Sequence, residues 1–295
     1  KNNPWDQTAT PESLKDRAMQ KNMNPKMLAS FVDGRKTMIE MTALSNGIGM
    51  PLDKVGMNGP ISEVSELNKN LIPESDGGVL KESGRVDFAF GPAPGVFSIV
   101  TTDNPTIIEE MEYLSMGEGP YYTLYRPYHL ASVEAPRSVG MAIINNEAGL
   151  QPTTWISEVI GHAKKDLKPG DKIDGIGGFS SYGVAYPYSE TEGLAPLGLI
   201  EGATVVGEIK QGEPIPRDAI ELPDNLINIW TKIFREELNF FIENNIDFKD
   251  DQTILGKIIF NKENINIFRL ITTISKPKIN EYLKIINNKN NEKSL

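Results

Sequence analysis

Read for the alternation of hydrophobic and polar positions, the first hundred or so residues predict a mixture of helices and strands. TPESLKDRAMQKNM at 10–23 has helical spacing, with Thr10 as N-cap and Pro11 in the first turn. PKMLASFV at 25–32 is a short apolar run and predicts a strand. TMIEMTALSNGIGMP at 37–51 predicts a helix burying Met38, Met41, Leu44 and Ile48, ended by Gly47, Gly49 and Pro51. GRVDFAFG at 84–91 alternates like a half-buried strand, and GVFSIVTTD at 95–103 reads as a strand of the buried kind. NPTIIEEMEYLSMG at 104–117 predicts a helix capped by Asn104.

Beyond this region the texture changes twice. From 151 to 223 short apolar runs are punctuated by Gly and Pro, which predicts a small all-β module with irregular connections. From 224 to 295 Ile, Asn and Lys dominate. LINIWTKIFREELNFFIENN at 226–245 has amphipathic helical spacing, and the terminal INNKNNEKSL reads as frayed. The expected fold class is therefore an α/β (α+β) region over 1–150, a small all-β module over 151–223 and a helical tail over 224–295. No internal repeat is visible.

Composition narrows the chemistry. A net charge of −10 argues against nonspecific nucleic-acid binding and against an anionic membrane surface, and no apolar run is long enough to span a bilayer. Cysteine is absent, which excludes disulfides, thiolate metal sites and a thiol nucleophile. The two histidines, His129 and His162, make a histidine-rich zinc centre untenable. The opening KNNPWDQ carries neither an initiator methionine nor a signal segment and reads as an internal start.

Two stretches hold the candidate chemistry. In FVDGRKTMIEM, at 31–41, Asp33 and Lys36 flank a glycine turn that leads into a helix. Lys36 and Glu40 lie one helical turn apart on one face, and the helix N-terminus favours an anionic ligand. Thr37 and Glu40 also match a capping box, a purely structural reading of that glutamate. In MGEGPYYTLYRPYHL, at 116–130, Arg126 offers a forked donor for phosphate or carboxylate, His129 a proton shuttle, and Tyr125 and Tyr128 amphipathic walls. The plain alternative is a tyrosine-rich interface with a silent histidine. Glycine clusters at 47–49, 56–59 and 175–178 lack the spacing of a dinucleotide fingerprint, and no phosphate loop occurs.

SFVDGRKTMIEMTALSNGIGM, GPAPGVFSIVTTDNP, MGEGPYYTLYRPYHL and AKKDLKPGDKIDGIGGFSSYG, in that order, resemble the homoserine-dehydrogenase-like oxidoreductases that carry a SAF domain, including the deoxyxylulose-phosphate-reductoisomerase-like group. The resemblance spans about residues 10–223. It implies a Rossmann domain ahead of this chain, a catalytic and dimerisation region over 1–150, and a SAF (β-clip) module over 151–223. Residues from about 250 onward resemble nothing in that family.

The resemblance further implies catalytic roles for Lys36, Asp33 and His129. Lys36 would be the proton donor or a ligand to the substrate oxygen, and Asp33 its orienting or proton-accepting partner. Substrate contacts would come from Arg126, Tyr125, Tyr128 and Glu40, with a divalent metal at Glu40 should a reductoisomerase mechanism apply. The cofactor would be NAD(P)H, held mainly by the domain ahead of this chain, so that this portion alone would be inactive. The substrate would be a small polar carbonyl or hydroxy compound, phosphorylated or not, handled by a cytoplasmic homodimer without nucleic-acid or membrane partners. The alternative function is a non-catalytic sugar- or ligand-binding SAF protein; a third is an assembly role.

Overall fold

The computed structural model describes residues 5–92, 94–128, 130–150, 152 and 154–223. Contacts group Lys1–Pro223 into one compact unit. The helix expected over 226–245, the frayed tail and His129 lie outside the described residues.

The unit opens with three helices: α1 (Lys15–Gln20), α2 (Pro25–Val32) and α3 (Arg35–Ile48). Thr10 and Ser13 cap each other reciprocally, at 3.0 and 3.1 Å, in the turn ahead of α1. Residues 25–32 are a helix, not the expected strand. The Asn24 side chain accepts the amides of Lys26 and Met27, and Pro25 occupies the first helical position. Leu28 and Ala29 then pack on Ala9, Leu14 and Ala18 of the preceding segment. A capped start and a neighbouring apolar face outweigh the strand-like brevity of the run.

Helix α3 begins two residues earlier than expected, directly after Gly34, whose φ of 82° places it in the left-handed region. Thr37 is therefore inside the first turn, and the capping box with Glu40 is not formed. The Asp33 carboxylate takes the Arg35 amide instead, at 2.9 Å. The helix ends at Gly49, with φ 73°. Its buried stripe is Arg35, Met38, Thr42 and Ser45, whereas Ile48 is 46% exposed. Of the expected stripe Met38 is buried and Met41 and Leu44 pack half-buried against the same cluster, while Arg35 and Ser45 are buried because each finds a hydrogen-bond partner inside the fold.

After a short helix α4 (Leu67–Asn70), residues 84–91 join no sheet, contrary to the predicted strand. Only an isolated bridge joins Phe90 to Ile61, and Asp87 gathers the amides of Asn58 and Gly59. Strand β1 (Val96–Thr101) follows, then α5 (Pro105–Tyr113), whose Asn104 cap accepts the Thr106 amide at 3.0 Å. Strand β2 (Tyr121–Arg126) pairs antiparallel with β1, Val96 opposite Arg126. No residue of β1 is fully buried, so it is not the buried strand expected. Helix α6 (Ala131–Gly140) has no buried residue among those described.

The β-rich stretch contains β3 (Ser157–Ala163) and β4 (Ser181–Pro187), an antiparallel pair with His162 opposite Tyr182. A second antiparallel pair, β5 (Thr204–Val205) and β6 (Ile220–Glu221), follows, and isolated bridges such as Leu167–Ile209 tie the connecting segments together. Leu167, Ile173, Ile200, Val205, Ile209 and Ile215 form its core. Both β3 and β4 pack on α3. The architecture is α+β, with small antiparallel sheets. No helix among the described residues is long and apolar enough to cross a membrane.

Candidate functional site

The turn between α2 and α3 sends its charged side chains in opposite directions. Asp33 points inward and is 1% exposed. Its Oδ2 lies 2.9 Å from Lys164 Nζ at the end of β3 and 3.6 Å from Arg35 Nη2. Lys164 Nζ also donates to the carbonyls of Ala9 (2.6 Å) and Gly178 (3.1 Å), and Arg35 Nη2 donates to that of Ser181. Burial pushes the Lys164 ammonium below the usual lysine range, against the opposing pull of Asp33. Burial likewise lowers Arg35, again opposed by Asp33. With the Lys164 ammonium hydrogen-bonded to two carbonyls and ion-paired to Asp33, this cluster fastens the N-terminal helices to the β-rich segment.

Lys36, by contrast, is exposed on the first turn of α3. Its Nζ rests 4.3 Å from the centroid of the Phe31 ring, a cation–π contact. No carboxylate among the described residues pairs with it, so the expected Asp33–Lys36 relay is not formed. The carboxylate that fixes the turn is committed to Arg35 and Lys164 instead. Glu40 is exposed one turn further along α3. Among the described residues no three acidic or imidazole side chains converge on a metal-ligating group. Glu40 thus lacks companion ligands among the described residues.

The second predicted constellation is split as well. Arg126 pairs with Glu134 of α6 and lies 4.7 Å over the Tyr128 ring. Tyr125, the preceding residue of β2, faces the other side of the hairpin. Its hydroxyl donates to the Pro92 carbonyl at 2.8 Å, and its ring covers Gly95. An anion at Arg126 would therefore have to compete with Glu134.

Two larger cavities flank the buried cluster. One, of about 550 Å³, is lined by Trp5, Asp33, Met38, Asn58, Phe88 and Phe90, with the three aromatic rings in mutual contact. The other, of about 390 Å³, lies between α3, β3 and the 174–201 segment, and its walls include Arg35, Ile39, Thr42, Glu158 and Glu201. Lys36, Glu40, Arg126, Tyr125 and Tyr128 line neither of them. On α3, Lys36 occupies the stripe adjoining the one formed by Arg35, Ile39 and Thr42.

Residues 1–135 match the family described as oxidoreductase DRL, catalytic domain. This match supports an oxidoreductase catalytic domain. No curated protein matches the chain. The matched oxidoreductase stretch contains the whole 31–41 turn and the 121–128 hairpin, but ends before β3. Arg35, Thr42 and Lys164, the groups that organise the buried cluster and the smaller cavity, were not singled out by the sequence. Arg35 sits between two residues that were, yet nothing local marks it as buried. Lys164 belongs to a lysine-rich turn of the β-rich segment, and only the fold brings it to Asp33.

Proposed function

We propose that this chain supplies the substrate side of an NAD(P)-dependent oxidoreductase, with Lys36 as the group that protonates the substrate oxygen. The observation that carries this reading is the Lys36 ammonium itself. It is exposed, free of carboxylate partners among the described residues, and held over Phe31 at the start of a helix inside the matched catalytic domain. Reducing a carbonyl to an alcohol requires a proton at the oxygen, and a lysine ammonium at a helix start can deliver one and regain it from water. Asp33 acts as a positioning residue: it locks the turn from which Lys36 projects.

The sheets described here are antiparallel pairs. They offer no parallel strand–helix seat for a dinucleotide, so the nicotinamide cofactor would be bound by residues beyond those described. Arg126, Tyr125, Tyr128 and Glu40 remain proposed substrate contacts, and the resemblance adds His129, a cytoplasmic setting and a homodimer. The non-catalytic ligand-binding alternative predicts no binding of NADPH by the intact protein.

The test is turnover of NADPH by the intact protein with small oxo and hydroxy compounds. Lys36→Met should lower kcat by about 100-fold or more while leaving the melting temperature and NADPH affinity unchanged. Retained turnover in that variant would remove Lys36 from the mechanism.

A further inference from the structure

The β1–β2 hairpin leaves one sheet edge open. β1 pairs with β2 alone, and no backbone group of Val96–Thr101 makes a further hydrogen bond among the described residues. In an antiparallel ladder alternate residues point their N–H and C=O groups away from the partner strand. β1 therefore presents unpaired donors and acceptors along its free side. β2 differs: α4 packs against it, and the Asn68 side chain donates to the Tyr121 carbonyl at 2.9 Å. Nothing in β1 guards its edge. VFSIVT holds no charge, proline or glycine, and is rich in β-branched residues. A two-stranded ribbon of this kind is marginal in water unless something packs on it.

The helix after the hairpin is uncovered too. α6 has no buried residue among those described and carries Pro136 inside it. An isolated helix of 10 residues is marginal in water, because most helical stability comes from packing one face. In the turn that continues it, Ile143 and Ile144 are 77% and 82% exposed, and Val133 and Val139 of the helix stand exposed as well. Half of the exposed large apolar side chains among the described residues lie between Val96 and Leu150. Arg126, opposite Val96 in the ladder, pairs with Glu134 and ties α6 to this end of the hairpin. An open strand edge and an apolar helix without a cover thus belong to one face, which has the make-up of an interface.

Its cover must bring a free strand edge, apolar surroundings and no opposing charge. β1 itself meets this description. It is uncharged, and pairing a strand antiparallel with its own copy is what a two-fold axis generates, so the assembly closes at two copies. Residues 131–145 carry only Glu134 and Arg137 as charges, one of each sign, so two such segments approach without net repulsion. We propose that two copies of this chain associate through β1, paired antiparallel across a two-fold axis into one continuous sheet, with the exposed side chains of α6 and its continuing turn buried in the same interface. This assigns a surface to the homodimer named above and rests on that reading. It does not depend on Lys36 or on the cofactor.

Sedimentation velocity of the intact chain over a concentration series tests this. The parent should form a dimer and nothing larger. Ser98 and Ile143 are both exposed in a single copy, so lysine at either position leaves that copy folded, as circular dichroism would verify. Ser98→Lys sets like charges close together across the shared ladder, and Ile143→Lys places a charge in the apolar contact. Each should weaken self-association by about tenfold or more. Met19→Lys, at an exposed apolar position on α1, is the control and should leave association unchanged. A monomeric parent would overturn the homodimer and this surface together. A dimer as tight in either folded variant as in the parent would overturn the surface and leave a homodimer joined elsewhere. Equal weakening by Met19→Lys, or growth beyond two copies, would overturn the proposal as well.

Discussion

At the scale of single residues, the two lysines that meet the chemistry of this turn do opposite jobs. Lys164 is buried and surrounded by three oxygen acceptors; Lys36 is exposed over an aromatic ring. Removing Lys164 leaves the Asp33 carboxylate buried with Arg35 alone, and that at 3.6 Å. Lys164→Met is therefore expected to cost about 3–5 kcal/mol of stability, read from the midpoint of urea unfolding. A loss below about 1 kcal/mol would show that Asp33 does not rely on this ion pair. The sequence pointed to Asp33 and Lys36 as partners because they are neighbours along the chain. It held no sign that the carboxylate turns inward to a lysine on a distant strand.

At the scale of elements, the entry into α3 depends on one glycine. Gly34 has φ 82°, and a Cβ there would lie 2.6 Å from the Trp5 ring. Gly34→Ala must adopt a left-handed conformation and displace an indole that stacks on Phe88 at 4.8 Å. We expect a loss of roughly 2 kcal/mol from the backbone and contact terms together, with Lys36 no longer held over Phe31. Unchanged stability, measured by thermal unfolding, would mean that the turn relaxes without strain. Several elements were legible beforehand. Helix α5 with its Asn104 cap and the Gly49 stop of α3 follow from side chains within a few residues. Helix α2 was misread although Asn24 and Pro25 announce a helix start, because the short apolar run suited a strand equally well. The 84–91 stretch alternates as a strand does, but its backbone groups bond to Pro51, Pro60 and Ser62 instead of a ladder.

At the scale of the whole molecule, one buried histidine links stability to pH. His162 Nδ1 lies 2.9 Å from the Gly212 carbonyl and so donates to it; Nε2 accepts from the Tyr186 hydroxyl, also at 2.9 Å. The ring lies close to those of Tyr182 and Tyr186, and burial lowers its pKa below the ordinary histidine value. The neutral form is therefore the folded form. As pH falls through about 6.5 the unfolded chain takes up a proton that the folded chain refuses, so stability declines by at most about 1.4 kcal/mol per pH unit. The contribution is fully present above that range and lost on acidification. Melting temperatures between about pH 7.5 and 5.5 should show this decline in the parent and a flatter profile in His162→Gln. Equal profiles would place the acid sensitivity elsewhere.

The sequence by itself determined the mixed α+β class, the β-rich texture of 151–223, the exclusion of cysteine chemistry, and the turn on which Lys36 stands. Those properties come from composition and from caps, glycines and apolar spacings that act over one or two helical turns. The tertiary structure decided which side chains of that turn are buried, which lysine neutralises Asp33, and that Arg35 and Thr42 share a cavity wall with Glu158 and Glu201. Burial and ion pairing depend on what arrives from far along the chain, and the local pattern of residues carries no record of it.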